Sequence, residues 1–401
     1  YSFRGARIDN ILQFTDLYKG ARLFKLEQNY RSTQTIVEAA NSLISYNKRQ
    51  IRKQVFSKND EGSPLLLNIA YSDVEEGEIV CNRIVRLHRD EGVPYGQMAV
   101  LYRTNAQSRI FEEGLRGHSV PYRIYGGQSF YDQKEIRDVL AYFRLAVNPN
   151  DEEALKRIIN VPKRGIGTTT VGRIIQCAHE NGWGIGDVVA DARKYVPSLS
   201  AATLKKIEGF HHMMAGFTES LAKDDAYTLG ERILKESGIW REAYRQNDAE
   251  SREVQNNLSE LLNGINTFVE MQRESGEESR LLLTDYLSEV SLLSDQDSDD
   301  GDADDRVTLM TVHAAKGLEF DAVFVVGMEE NLFPNAMSMH SERQLEEERR
   351  LFYVALTRAR RYCCLSASKS RFKYGKMEFC EPSSFLYEID RRYLRMESGR
   401  S

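Results

Sequence analysis

An α/β domain with a parallel sheet, interrupted by a mostly α-helical insertion, is the fold class this sequence predicts. Three observations carry it. Between Arg22 and Tyr125 short apolar runs alternate with helical periodicity, the pattern of strands joined by crossover helices. From about Tyr131 to Leu293 only helix-period spacing remains. After Val307 apolar runs of strand length return, so the α/β part resumes and the helical block divides it.

In chain order, the expected strands of the first part are Leu23–Leu26, Leu65–Ala70, Met98–Tyr102 and Tyr122–Tyr125. Ile36, Ala39, Ala40 and Leu43 make one intervening helix face, and Ile79, Ile84, Val85 and Leu87 most of another. Strands that read as continuous apolar runs imply a parallel sheet covered on both faces. In the helical block Ile136, Val139, Leu140, Phe143 and Val147 fall at helical spacing. The block closes on Asp295–Asp305, where seven of eleven residues are aspartate, a solvated loop by composition. A calcium loop is the weaker reading of that run, because no twelfth-position Glu closes it. Val307–Thr311, Ala322–Val326 and Tyr362–Ser366 are the returning strands, with a helix between the last two. The expected domains are therefore 1–130 and 304–401 for the α/β part and 131–303 for the insertion.

Composition excludes several classes. No apolar run approaches the ~18 residues of a membrane span. The five cysteines include no CxxC pair, which argues against a zinc site or a disulfide framework and fits a reducing cytoplasm. The net charge of −6 means that a nucleic-acid partner has to be argued from local patches. The chain opens on Tyr1-Ser2-Phe3-Arg4-Gly5-Ala6, without an initiator Met, as though cut from something longer.

Four stretches carry candidate chemistry. Glu346-Glu347-Glu348-Arg349-Arg350 opens a helix with acid and runs to Arg358, Arg360 and Arg361 at its basic end, complementing the helix dipole. Arg358, where that helix runs out, either points a guanidinium at a phosphate or sits in an ordinary charged amphipathic face. Tyr30 and Arg31 follow an expected strand and precede a helix capped by Ser32 or Thr33, which places them at the carboxyl edge of the sheet. A ring beside a guanidinium there suits a base and a phosphate; a packed Tyr and a surface ion pair is the alternative. His313, Lys316 and Glu319 cluster within seven residues after another strand, with Gly317 permitting a tight backbone. Between Arg349 and Lys376 nine Lys/Arg occur without any Asp or Glu, interleaved with Tyr353, Tyr362, Phe372 and Tyr374, a pattern suited to single-stranded nucleic acid, with a solvated face as the alternative. Within the helical block Lys163-Arg164-Gly165-Ile166-Gly167 precedes a helix; its turn is expected to expose backbone N–H groups for a duplex phosphate.

Together these residues resemble the superfamily 1A DNA helicases of the UvrD/PcrA/Rep group along essentially the whole chain. Tyr1–Ala6 looks like the tail of motif III, Leu26–Thr33 like motif IV, and Leu101–Arg109 like the motif after it. Thr308–Phe320 looks like motif V, Val325–Pro334 like its extension and Glu347–Arg358 like motif VI; Gly126–Tyr142 and the Gly165–Gly167 turn also match. The resemblance implies a RecA-like domain 2A, of the P-loop NTPase kind, split by a helical domain 2B. It implies that Tyr30 stacks on adenine, Arg31 and Arg358 reach the γ-phosphate, Glu319 contacts ribose, and Arg4 links the nucleotide to the DNA. Tyr1, Phe3, Arg103, His313 and Tyr374 would line a single-strand track; Phe3 stands where the family usually has Trp. Lys163, Arg164, Gly165 and Gly167 would touch duplex.

No G-x-x-x-x-G-K-[ST] loop and no Asp-Glu magnesium motif occurs in these 401 residues. The resemblance places both in domain 1A, so ATP with Mg²⁺ would be bound mainly by N-terminal 1A/1B domains, and the chain alone is expected to lack ATPase activity. The implied parent is an ATP-dependent 3′-to-5′ helicase acting on single strands and single-strand/duplex junctions in repair or replication, with other repair proteins among its partners. Two alternatives stand beside it: a non-catalytic DNA-binding or partner-recruiting module, and the translocating subunit of a RecB/AddA-like helicase–nuclease. The latter is disfavoured because no nuclease-like cluster of carboxylates and lysine follows Ser383.

Overall fold

Seven strands form one sheet: β1 (Leu65–Ala70), β2 (Met98–Tyr102), β3 (Tyr122–Ile124), β4 (Val307–Thr311), β5 (Phe320–Val325), β6 (Ala359–Ser368) and β7 (Leu394–Glu397). Their spatial order is β7-β1-β6-β5-β2-β4-β3, and every neighbouring pair is parallel. The computed structural model describes residues 8–246, 248–277, 280–295, 305–373 and 376–397. The chain divides into two units: Tyr1–Ser129 with Gly301–Phe372 and Met377–Ser401, and Phe130–Asp300 with Lys373–Lys376.

The inner strands are buried on both faces because they are apolar on both sides of the pleat, while the edge strands β3 and β7 stay partly exposed. Leu65, Leu67, Ala99, Leu101, Val323, Val325, Cys363 and Leu365 face one core. That core is closed by helix α1 (Gln34–Ile44) through Ile36, Ala39, Ala40 and Leu43. The alternating residues Leu66, Met98, Val100, Phe324 and Cys364 face a second core. Helix α2 (Asp73–Glu91) covers it through Val80, Cys81, Ile84 and Leu87, and helix α3 (Ser108–Gly117) through Phe111 and Leu115. Helix α2 starts at Ser72, whose hydroxyl accepts the Glu75 N–H, and stops at Gly92 in the left-handed region, φ 66°.

Helix α4 (Glu342–Leu356) packs on the first core through Leu351, Phe352, Ala355 and Leu356. Its charges are not merely a solvated face: Glu346, Glu348 and Arg349 are buried. Arg349 makes a bidentate pair with Glu388 at 2.6 and 2.7 Å and donates to Asn47 Oδ1, while Glu346 accepts the N–H groups of Lys48 and Arg49. The helix is thereby bolted to the turn after α1.

One expected strand is absent. Leu23–Leu26 is not in a strand, and Leu23, Phe24 and Leu26 are 55%, 82% and 88% exposed. Strand preference reflects fit to a pleated, paired surface, and among the described residues this run has no strand beside it. Extended pairing begins only at Gln28–Asn29, against Phe56–Ser57 in a separate two-stranded sheet.

In the second unit the described secondary structure from Lys134 to Asp295 is helical throughout. The helix Lys134–Val147 buries Ile136, Val139 and Phe143 as its spacing predicts, against Leu229, Ile233, Leu258 and Ile265 in one continuous core. The acidic run falls mostly at residues 296–304, outside the described residues. No described helix is long and apolar enough to cross a membrane, and none of the five cysteines is bridged.

At the carboxyl ends of β1, β5 and β6 lies a buried ionic hub. Arg371 donates to both Glu329 oxygens at 2.7 and 2.8 Å and to Glu76 at 2.6 Å. Glu76 also accepts from Gly327 N–H and the Ser366 hydroxyl, and Glu329 from the N–H and hydroxyl of Ser368. Removing one member of such a set strands the others in low dielectric. Arg371→Met is therefore expected to cost about 3–5 kcal/mol of stability, read as a lower denaturant midpoint; an unchanged midpoint would contradict the hub's role.

Candidate functional site

Two constellations form at opposite ends of the parallel sheet. The first is at the amino ends of β5 and β6. Asn29 Oδ1 accepts the N–H groups of Arg31 and Ser32 at 2.8 and 2.9 Å, an Asx-type turn. The Ser32 hydroxyl then donates to the Ala359 carbonyl at 2.6 Å, and Thr33 N–H to Arg360 O. These bonds dock the Tyr30–Thr33 segment on the start of β6. Arg31 Nε reaches Glu319 at 2.5 Å and its NH1 donates to the Thr357 carbonyl at 3.0 Å. Arg358 donates from NH1 to Leu318 O at 3.1 Å, from Nε to Val354 O at 3.0 Å and from NH2 to the Thr357 hydroxyl at 3.2 Å. Arg31 and Arg358 thus converge on the same two chain segments. Tyr30 stands beside them, 79% exposed, with its ring available for stacking.

This corrects the expected position: the Tyr30–Arg31 segment lies at the amino edge of the sheet, because the run before it is not one of the sheet's strands. Glu319 is flanked by two guanidiniums, Arg31 on one oxygen and Arg360 on the other. Their hydrogen bonds hold its carboxyl down at about 2. Arg360, which sequence reasoning left in a general basic patch, orients this carboxylate; Asp321 and Gln97 hold it in turn. Its neighbour in sequence, Arg361, is exposed and donates to the Tyr362 hydroxyl at 3.2 Å.

The second constellation is at the carboxyl ends. Arg103 follows β2 and forms a two-pronged pair with Glu348 of α4, 3.0 Å from Nε and 2.8 Å from NH2. His313 follows β4, half-buried. His313 and Glu319 are neighbours in sequence but belong to different ends. The connection between two parallel strands must cross the length of the sheet, and residues 312–319 do so over the first core, burying Val312 and Ala315. Gly317 sits in that crossing at φ 87°, a backbone only glycine adopts without strain. Tyr1, Phe3, Arg4 and Tyr374 lie outside the described residues.

The nine-cation run from Arg349 to Lys376 is not one basic surface. Arg349, Arg350, Arg360 and Arg371 are each neutralised by acids, mostly from distant segments. Arg361 and Lys369 are exposed. Sequence adjacency does not register partners 40 to 300 positions away.

In the second unit the Lys163–Gly167 turn is built around Asn160, whose Oδ1 accepts the N–H groups of Arg164, Gly165 and Ile166 at 2.8, 2.9 and 3.2 Å. Those donors are therefore engaged, contrary to the expected exposed cradle. Arg164 also faces inward, donating to Val161 O, Tyr142 Oη and Ser237 O at 2.9, 2.6 and 2.8 Å. Lys163, Gly165 and Gly167 are exposed, and Gly167 opens the helix Thr168–Asn181 without a side-chain cap. Gly165 has φ 73°, and a Cβ there would meet Lys206 Nζ at 2.7 Å; Gly167 has open space. Lys206 itself donates to Gly165 O.

Comparison with known proteins gives consistent matches. The family described as UvrD-like helicase C-terminal domain matches residues 24–370. A Leuconostoc citreum protein named ATP-dependent DNA helicase PcrA is 38% identical over 389 residues, covering 97% of this chain and 52% of that protein. Proteins named DNA helicase II from Salmonella typhimurium and Escherichia coli are each 37% identical over 393 residues, covering 97% of this chain and 53% of theirs. The chain spans about half the length of the curated relatives it matches.

The amino-edge cluster makes a titration prediction. A carboxyl held at about 2 stays ionised through the ordinary Glu range, so its stabilising bonds persist above that range and are lost only as pH falls through 2. Arg360→Gln removes one of the two guanidiniums and is expected to move the Glu319 titration upward, towards the ordinary carboxylate range, in carboxyl NMR. An unmoved titration would mean that Arg31 alone sets it.

Proposed function

Because the chain belongs to the UvrD-like helicase C-terminal domain family, we propose that it is the C-terminal half of an ATP-dependent 3′-to-5′ DNA helicase that unwinds duplex in repair or replication. The observation that carries this is the meeting of Arg31 and Arg358 at one sheet edge, through Thr357 and the Leu318–Glu319 pair, from segments more than 300 residues apart. Two forks beside an exposed ring suit a nucleotide's phosphates and base. A non-catalytic module has no need of that meeting.

In this reading the domains are 1–130 and 304–401 (2A) and 131–303 (2B), and Arg31 and Arg358 stabilise charge on the terminal phosphate. Tyr30 holds the base and Glu319 the ribose, while Arg4 links nucleotide to DNA. ATP with Mg²⁺ supplies the phosphoanhydride. Glu319 and Asp321, the carboxylates that Arg31 and Arg360 hold, are tied to those arginines, and the resemblance gives the metal to the N-terminal 1A and 1B domains. Support for those domains as partners comes from residues 8–26, where Ile11, Leu17, Phe24 and Leu26 are 64%, 69%, 82% and 88% exposed, a cost a covering surface removes. The opposite edge, with Arg103 and His313, tracks single-stranded DNA, the role that the resemblance also implies for Tyr1, Phe3 and Tyr374. Lys163, Gly165 and Gly167 meet duplex at the junction, and Arg164 shapes their turn from inside. The compartment is the cytoplasm.

The reading is tested in two steps. The chain alone, lacking a phosphate loop, is expected to show no ATP turnover above background; measurable turnover would refute its status as half a motor. In the full-length protein Arg358→Ala is expected to abolish ATPase activity while leaving circular dichroism unchanged. Loss of secondary structure together with activity would assign Arg358 to the fold instead.

A further inference from the structure

The two sheet ends are joined by a single rigid element. Helix α4 holds Arg103 through Glu348 at the carboxyl edge and runs directly into Thr357 and Arg358 at the amino edge. Thr357 lies nine positions after Glu348, a rise of about 13 Å. Glu348 is buried, and its Oε2 also accepts the Asn335 N–H of the segment after β5. Phe333 of that segment packs edge-to-face on Phe352 of the helix at 5.7 Å. At the far end the Thr357 carbonyl and hydroxyl are the acceptors for Arg31 and Arg358. A displacement of α4 along its axis therefore changes both guanidiniums' partners.

We propose that Glu348 is a positioning residue that reports occupancy of the single-strand track to the nucleotide edge, through its pairing with Arg103 and the length of α4. The inference rests on the reading of the chain as half of an ATP-dependent DNA helicase and names the element that couples its DNA edge to its nucleotide edge. The chemistry is competition for one fork. Two of the Arg103 donors are committed to Glu348. A DNA phosphate is the other anion that a guanidinium binds in the same two-pronged manner. When phosphate draws Arg103, Glu348 keeps the Asn335 N–H and loses its counter-charge, and a buried carboxylate without a counter-charge is costly. The cheapest relief is a shift of the helix that carries it. Arg349, bolted to Glu388 and Asn47, and Arg350, bonded to Arg49 O, restrict that motion to a concerted one.

The test uses the full-length protein and an oligo(dT) single strand, comparing wild type with Glu348→Gln, Arg103→Gln and the double variant. Two quantities are read: the dissociation constant for oligo(dT), and the ratio of DNA-stimulated to DNA-free ATP turnover. For Glu348→Gln the dissociation constant is expected within about threefold of wild type, while the stimulation ratio falls about tenfold or more. The double variant is expected to be no worse in that ratio than Arg103→Gln alone, since each partner acts through the other. A wild-type ratio in Glu348→Gln overturns the proposal, as does a ratio that falls only in step with DNA affinity, which marks a plain binding contact. Should Glu348→Gln misfold, Glu348→Asp, which keeps the charge on a shorter stem, is expected to retain DNA affinity with a reduced ratio; an unchanged ratio again overturns the proposal. Absence of ATP turnover and DNA binding in the wild type is a separate outcome that refutes the helicase reading itself.

Discussion

A parallel sheet buried on both faces leaves its two ends as the places where polar chemistry can sit, and this constraint organises the first unit. Residues alternating along β1, β2, β5 and β6 fill one core or the other, so these strands offer no exposed face on which to build a site. All strands point the same way, and each connection returns across the sheet. Residues at strand starts and strand ends are thus sorted to opposite edges whatever their order in sequence. Arg31, Glu319, Arg358 and Arg360 gather at one edge, Arg103, His313 and the Arg371 hub at the other.

Helix α4 makes the two edges one object. Its apolar side is ordinary core, but its buried Glu346, Glu348 and Arg349 are each satisfied by a different segment: the turn after α1, the residue after β2, and Glu388. Burying these charges is costly unless each finds a geometrically exact partner. That requirement fixes the rotation and height of the helix, and with them the position of Thr357 and Arg358. Charge here specifies placement more than it adds stability.

The Lys163–Gly167 turn in the second unit shows the same economy on a smaller scale. Asn160 and Arg164 satisfy the turn's N–H and carbonyl groups from inside, which leaves Lys163 and the start of the helix Thr168–Asn181 to face outward. The glycine that the turn requires is Gly165, at positive φ with Lys206 folded over it, and not Gly167.

Local periodicity was enough to determine six of the seven strands' cores, helix α1 and the all-helical character of the second unit, because burial on a strand or helix imposes a repeat that the chain itself displays. Position beside an expected strand or helix end drew attention to Tyr30, Arg31, Glu319 and Arg358, which the structure gathers at one edge. What the tertiary structure alone decided is which charges meet. Leu23–Leu26 has strand composition yet no strand beside it, Arg360 differs from Arg361 only through Glu319 and Asp321, and the basic run dissolves into separate ion pairs. The edge on which Arg31 sits, and the separation of His313 from Glu319, follow from strand direction. Pairing and direction are relations between distant segments, and no local pattern encodes them.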